Sequence, residues 1–292
     1  MMDTSKRAAA LEAGAGTGIR MINSRKLTAA LLVAAAALFA AVGAVLAFGG
    51  NDIRMEPTPI DRLDLASQQR GARTFVNYCL NCHTAKYMRY NRLTDLGLTE
   101  AQIRDNLMFA TDKIGETMTI AMQPADAKAW FGAPPPDLSV EARVRGVQWL
   151  YNYFLGFYRD EGSVSGWNNL MFPNVSMPHV LAELAGSNRL VTTEYKEHEE
   201  AQAAALAAKG IVVLGPGKKH TFVVQSLVTD TPGTLTPVQY RQMVADLVNY
   251  LDYMSEPTKN KRVSLGLIVL LYLIVLFVFA YWLKREYWKD VH

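Results

Sequence analysis

Two uncharged runs interrupt an otherwise mixed pattern of apolar and polar positions. The first, Leu27 to Phe48, reads "LTAALLVAAAALFAAVGAVLAF" behind Arg25 and Lys26. A basic start, an apolar run and small residues at its end (Val45, Ala47) predict a secretory signal peptide cut after about Ala47. The run is longer than the usual ~7–15-residue apolar region, so an uncleaved anchor is the alternative. The Gly/Ala-rich stretch before it, "MMDTSKRAAALEAGAGTGIR", predicts no ordered element, and Met21 offers a second possible start. The other run, Val263 to Leu283, reads "VSLGLIVLLYLIVLFVFAYWL". Spanning a bilayer takes ~20 residues of helix, and Tyr281 and Trp282 stand where interfacial aromatics belong. The pattern thus divides the chain into a leader (1–47), an exported domain (48–258), a membrane anchor (263–283) and a cytoplasmic tail (284–292).

Within the exported part, Leu65, Gln69, Ala72 and Val76 recur at helical spacing, which predicts a helix leading into Cys79. A second helix is predicted over Val238–Met254. Gly71 and Phe75 on the first and Tyr250 on the second are candidate packing residues: a glycine would let two backbones approach closely, and simple core packing explains all three equally well. Strands are expected only at "IVVL" (211–214) and "TFVVQSLV" (221–228). The acidic, Ala-rich stretch "EYKEHEEAQAAALAAKG" (194–210) is expected to be an exposed helix.

Charge changes the picture little. Residues 48–257 carry 19 Lys+Arg against 23 Asp+Glu, a formal −4, and the chain's basic excess flanks the two apolar runs. No clustered basic face exists for a nucleic acid.

Chemistry concentrates at "NYCLNCHTAKY", which holds both cysteines of the chain. A disulfide between Cys79 and Cys82 would close a tiny loop and constrain the unfolded chain very little. A thioredoxin-like pair wants a strand before the motif, and the lead-in is helical. Zinc needs four ligands, and there is no second cysteine pair. C-x-x-C-H is also the attachment signature of c-type haem: Cys79 and Cys82 form thioethers to the vinyl groups, and His83 offers an imidazole to the iron. A low-spin carrier needs a sixth ligand, most often methionine. Met108, Met118, Met122, Met171 and Met177 are the candidates outside the leader and far enough from the motif; Met243 and Met254 read as helix packing. Met177, in a loop stiffened by Pro173 and Pro178, ranks first, and Met122, beside Pro124, second. Ligation by a second histidine (His179, His198 or His220) remains open.

The motifs "GARTFVNYCLNCHTAKYMRYNRL", "GAPPPDLSVEARVRG", "FPNVSMP" and "QYRQMVADLVNYLDYMSEP", followed by basic residues and the terminal span, together resemble the cytochrome c1 family over roughly residues 61–292. The resemblance implies a mainly α fold, a c-type cytochrome domain with insertions plus a C-terminal transmembrane helix. It implies one covalently bound haem c on Cys79 and Cys82, with His83 and Met177 as iron ligands. Arg145, or less well Arg143, matches the family's haem-propionate contact, and Pro134–Pro136, centred on Pro135, would wall the haem. No residue is expected to make or break bonds. Cytochrome b, a Rieske iron–sulfur protein and soluble cytochrome c are the implied partners, in a quinol–cytochrome c reductase. The expected location is the bacterial inner membrane, with one C-terminal span and the haem domain on the periplasmic side. The sequence departs from the animal pattern of the family between Met177 and Thr236. A free-standing membrane-anchored cytochrome c, a haem subunit of a terminal oxidase, and a haem enzyme or sensor with an open iron position are the rival readings.

Overall fold

The computed structural model describes residues 55–208, 210–214 and 221–291. The expected leader and first apolar run lie outside the described residues, as does His220. In chain order, α1 (Leu65–Thr74) runs without a break into a π-helical turn, Phe75–Cys79; β1 (Ala85–Arg89) and a 3₁₀ segment, Tyr90–Leu96, follow. Then come α2 (Glu100–Leu107), β2 (Thr117–Met118), α3 (Pro124–Phe131), α4 (Glu141–Arg145) and α5 (Val147–Leu155). Strands β3 (Phe157–Arg159) and β4 (Trp167–Asn169) form a hairpin. A short α6 (Ala182–Ala185) leads to β5 (Gly186–Tyr195), α7 (His198–Ala208), β6 (Ile211–Leu214) and β7 (Phe222–Pro232). Two long helices close the chain, α8 (Pro237–Ser255) and α9 (Lys259–Tyr287). The domain is mainly α, as the sequence predicts.

The frame of the domain is the crossing of α1 and α8. Asp64 caps α1 by accepting from the Ser67 N–H, and Thr236 with Gln239 forms a capping box on α8, with Pro237 in its first turn. Such caps satisfy amide N–H groups that the helix itself cannot. At the crossing, a Cβ on Gly71 would lie 2.0 Å from the Asp246 carbonyl oxygen and 2.7 Å from Tyr250 Cβ. Only the absence of a side chain lets the helices meet there. Phe75 and Tyr250 pack with ring centroids 5.5 Å apart, both fully buried. Arg70 grips Asp246 through two hydrogen bonds, 2.6 and 2.9 Å, and Arg62 pairs with Asp252 at 3.1 Å, so α1 and its approach are pinned to α8 twice.

Strand content exceeds the sequence expectation. The two expected strands form as β6 and β7, which pair, and β7 pairs on its other side with the ten-residue β5, "GSNRLVTTEY". β5 lacks the alternation of a half-buried strand, because only Gly186 in it is buried. Its pairing comes from β-branched residues at 191–193 and from the partner strand, not from a hydrophobic face. The inserted helix is present as α7, but it is not simply exposed: Ala201 and Ala205, four apart, are buried against Val224 of β7. Small residues on that stripe let the helix lie close to the sheet.

The helix α9 is 29 residues long and none of its apolar stretch is buried. At 1.5 Å per residue it measures about 43 Å, more than the ~30 Å hydrocarbon thickness. It contains the whole uncharged run and is long and apolar enough to cross a membrane.

Candidate haem site

A single turn of irregular helix sets up the cysteine motif. The Leu80 N–H reaches back five residues to Phe75 O at 3.0 Å, which widens the helix by one residue per turn. Such π-turns concentrate at functional sites. A normal turn then follows, with the N–H groups of Cys82 and His83 both donating to Cys79 O (3.1 and 2.9 Å). Cys79, Cys82 and His83 thereby open onto one cavity of about 370 Å³. Cys79 is buried, and burial, reinforced by the neighbouring Cys82, pushes its thiol up to about 12. A dithiol redox catalyst needs the opposite, a lowered thiol. Zinc finds no support either: among the described residues no three His, Cys, Asp or Glu side chains cluster as a metal site.

His83 faces the cavity in a defined tautomer. Its Nδ1 lies 2.8 Å from the Pro136 carbonyl. A carbonyl can only accept, so Nδ1 carries the proton and Nε2 keeps its lone pair. Burial holds the imidazole below its ordinary pKa despite that hydrogen bond, which favours the neutral form. A neutral ring with one nitrogen tied to a carbonyl is the arrangement of an oriented metal ligand.

The proline loop is clamped to the histidine strand. Asp137 Oδ2 accepts from Thr84 Oγ1 (2.6 Å) and from the Lys86 N–H (2.9 Å), while Oδ1 accepts from the Ser139 N–H (2.9 Å). Ser139 Oγ accepts from the Tyr87 N–H, and the Leu138 N–H donates to Thr84 O. Pro134–Pro136 need no partners for missing N–H groups and fix their own φ, so the clamp can hold them as a rigid wall. Partial burial alone would raise the Asp137 carboxyl; the hydrogen bonds from Lys86, Ser139 and Thr84 outweigh it and hold it below the usual range. The stabilisation from this depressed carboxyl is full above its unfolded pKa, near 4, and is lost as pH falls through the still lower folded value. Asp137→Asn is therefore expected to flatten the loss of stability below pH 4, measured by denaturant unfolding across pH. An unchanged acid profile would show that the clamp carries no charge-dependent stability.

Met177 lines the same cavity. Its loop is held by two buried asparagines of β4. Asn169 Oδ1 accepts from the N–H groups of Met171 (2.8 Å) and Phe172 (3.3 Å), while its Nδ2 donates to Tyr153 O (2.7 Å). Asn168 Oδ1 accepts from the Asn174 N–H at 2.8 Å, and Asn174 takes a positive φ of 62°, which asparagine tolerates. Tyr153, on α5, donates its phenol hydrogen to Met177 Sδ at 3.3 Å. Burial pushes that phenol's pKa upward, so it stays protonated.

Of the five methionines weighed from sequence, Met177 lines the cavity with His83 and the others do not. Met118 and Met108 are core residues, and Met171 and Met122 lie off the cavity. His179 is stacked on Phe157 (4.6 Å, 5°) and edge-on to Trp167, and His198 packs against Phe222. Pro135 lines the wall. Arg145, though exposed, reaches the cavity, bonded to Glu141 at 3.1 Å and lying over the Trp149 ring at 4.8 Å, whereas Arg143, also exposed, lies outside it. Asp137, Tyr153, Trp149 and the two asparagines escaped the sequence reading. Asp137 sat in plain view beside the prolines; the others gave no local signal.

The cavity presents paired thiols, a neutral imidazole nitrogen, a thioether sulfur and a guanidinium within a mostly apolar lining. That donor set fits haem c, and with the crossed α1 and α8 it defines a c-type cytochrome domain. A family model described as "Cytochrome C1 family" matches residues 56–212 and 222–291. A cytochrome c1 from Allochromatium vinosum is 44% identical over 262 residues, 89% of this chain and 99% of that protein. An ammonia monooxygenase gamma subunit from Nitrosomonas europaea is 44% identical over 243 residues, 83% and 91% of the two chains. A cytochrome c1 from Rhodospirillum rubrum is 28% identical over 253 residues, covering 79% and 84%. The chain belongs to the cytochrome c1 family. Membership implies haem c as cofactor and a place in respiratory electron transport, as the haem subunit of a cytochrome bc1 complex.

Proposed function

We propose that this chain is a membrane-anchored monohaem cytochrome that accepts one electron from a Rieske iron–sulfur protein and delivers it to a soluble cytochrome c. Cytochrome b is its membrane partner in a quinol–cytochrome c reductase. In this reading Cys79 and Cys82 bond one haem covalently, His83 Nε2 and Met177 Sδ ligate its iron, and Arg145 meets a propionate with Pro135 against the ring. The observation that carries it is the single cavity onto which Cys79, Cys82, His83 and Met177 all open, with the His83 proton committed to Pro136. The haem, when bound, supplies a one-electron iron couple. The chain's residues orient the ligands, tune the couple through a thioether and exclude water with an apolar wall. Residues 48–258 form the exported domain on the periplasmic side of a bacterial inner membrane. Residues 263–283 cross it, 284–292 are the cytoplasmic tail, and 1–47 are the leader.

Two measurements test the reading. Met177→Leu is expected to turn a low-spin haem into a high-spin one that binds carbon monoxide; a wild-type protein already high-spin and reactive would favour the open-iron enzyme or sensor. Deleting the gene is expected to abolish quinol–cytochrome c reductase activity in membranes. Intact activity would leave only a free-standing carrier.

A further inference from the structure

We propose that Tyr153 is a positioning residue that sets the redox potential, through the hydrogen bond its phenol makes to the sulfur of Met177. The inference rests on the reading of Met177 as an iron ligand. A thioether sulfur has two lone pairs, so one can face a metal while the other accepts a hydrogen bond. At 3.3 Å the phenol is within hydrogen-bond reach of Sδ. A donor there draws density from the sulfur, which weakens its donation to iron. Ferric iron loses more from that than ferrous iron, so the bond favours the reduced state and raises the potential.

The surroundings hold the phenol in place. Its ring stacks on Trp149 with centroids 5.0 Å apart and planes 13° from parallel. Phe154 and Phe157 meet it edge-on at 5.6 and 5.1 Å. The Tyr153 carbonyl accepts from Asn169, the same side chain that fixes the N–H groups of Met171 and Phe172. One buried amide therefore ties the donor's backbone to the loop that carries the acceptor. Tyr250 also points its hydroxyl at a sulfur, that of Met118, but at 3.7 Å and in the core. Nothing in that second pair touches the cavity.

The test is an equilibrium redox titration of haem-loaded protein, with the optical spectrum recorded throughout. Tyr153→Phe keeps the ring and its stacking and removes only the donor. At a fixed ambient potential its ratio of oxidised to reduced haem is expected to rise three- to tenfold over wild type. Tenfold corresponds to 59 mV for a one-electron couple. The weak sulfur-to-iron band should persist and move. Tyr240→Phe is the control, since its hydroxyl makes a buried hydrogen bond to the Phe154 carbonyl at 2.9 Å and not to a sulfur; its ratio should stay at wild type. Because the ratio is read per haem-loaded molecule, a lower yield of either variant does not disturb it. A change under threefold in Tyr153→Phe, or an equal change in both variants, overturns the proposal while Met177 stands. If Met177→Leu remains low-spin and inert to carbon monoxide, the ligand reading fails, and this inference with it.

Discussion

A Cys79→Ser, Cys82→Ser double variant is expected to keep no haem through acid–acetone extraction, whereas the wild-type protein keeps all of it. The reason is chemical. A thiol adds to a vinyl group to form a thioether that survives unfolding; a serine hydroxyl does not. Ligation by His83 and Met177 alone would hold the group only while the cavity is folded around it. The geometry sharpens the expectation. Cys79 and Cys82 lie one turn apart on the same cavity, with His83 directly after them. Each single variant should keep one bond and therefore retain haem after denaturation, while the double variant should lose it. Haem extracted freely from the wild type would overturn the attachment and leave the fold untouched. The measurement is the haem absorbance that stays with precipitated protein.

Replacing Gly71 with valine is the second large effect. The first atom of any side chain there would meet the Asp246 carbonyl oxygen at 2.0 Å. That oxygen belongs to the backbone in the middle of α8 and cannot rotate away. The two helices must separate, which strains the Arg70–Asp246 pair and unpacks Phe75 from Tyr250. Phe75 also begins the π-turn that ends at Cys79, so the disturbance reaches the haem motif within one turn. Overpacking usually costs 1–3 kcal/mol; against an immovable carbonyl, about 3 kcal/mol is expected. For a domain of this size that lowers the thermal midpoint by roughly 6–12 °C. Gly115→Ala, where an added Cβ meets nothing within 4 Å, is the matched control. A Gly71→Val midpoint within about 2 °C of wild type would show that the helices have slack where they cross.

On the proposed reading, the formal −4 of residues 48–257 bears on the partner that would receive the electron. Soluble cytochromes c are commonly basic, so complementary charge should speed their encounter more than it tightens the complex. The effect should fade as salt shortens the Debye length, ~10 Å at 0.1 M.

Several features of this chain are legible without coordinates because each is written in neighbouring residues. Cys79, Cys82 and His83 sit within five positions, so their spacing alone marks them as candidates, and the fold opens all three onto one cavity. The periodicity of α1 and α8, and the unbroken apolar run inside α9, depend on one helix at a time. The ranking of Met177 above Met122 rests on flanking prolines, which act locally too, and of the two only Met177 lines the cavity.

What the sequence could not give depends on segments far apart in the chain. The His83 tautomer is set by a carbonyl 53 positions away, at Pro136. Tyr153 meets the Met177 sulfur across 24 positions, and Asn169 reaches back 16 to the Tyr153 carbonyl. No periodicity or propensity encodes such pairings, since a hydrogen bond between distant groups exists only after packing brings them together. β5 failed to announce itself for a related reason: with almost no buried face it carries no alternation, and its pairing partner, β7, lies far along the chain. The resemblance already prefers Arg145 to Arg143, but that only Arg145 lines the cavity depends on where α4 lies and not on residue type. Local order is fixed by neighbours in the chain; membership of a cavity is fixed by the crossing of α1 over α8 and the loops it draws together.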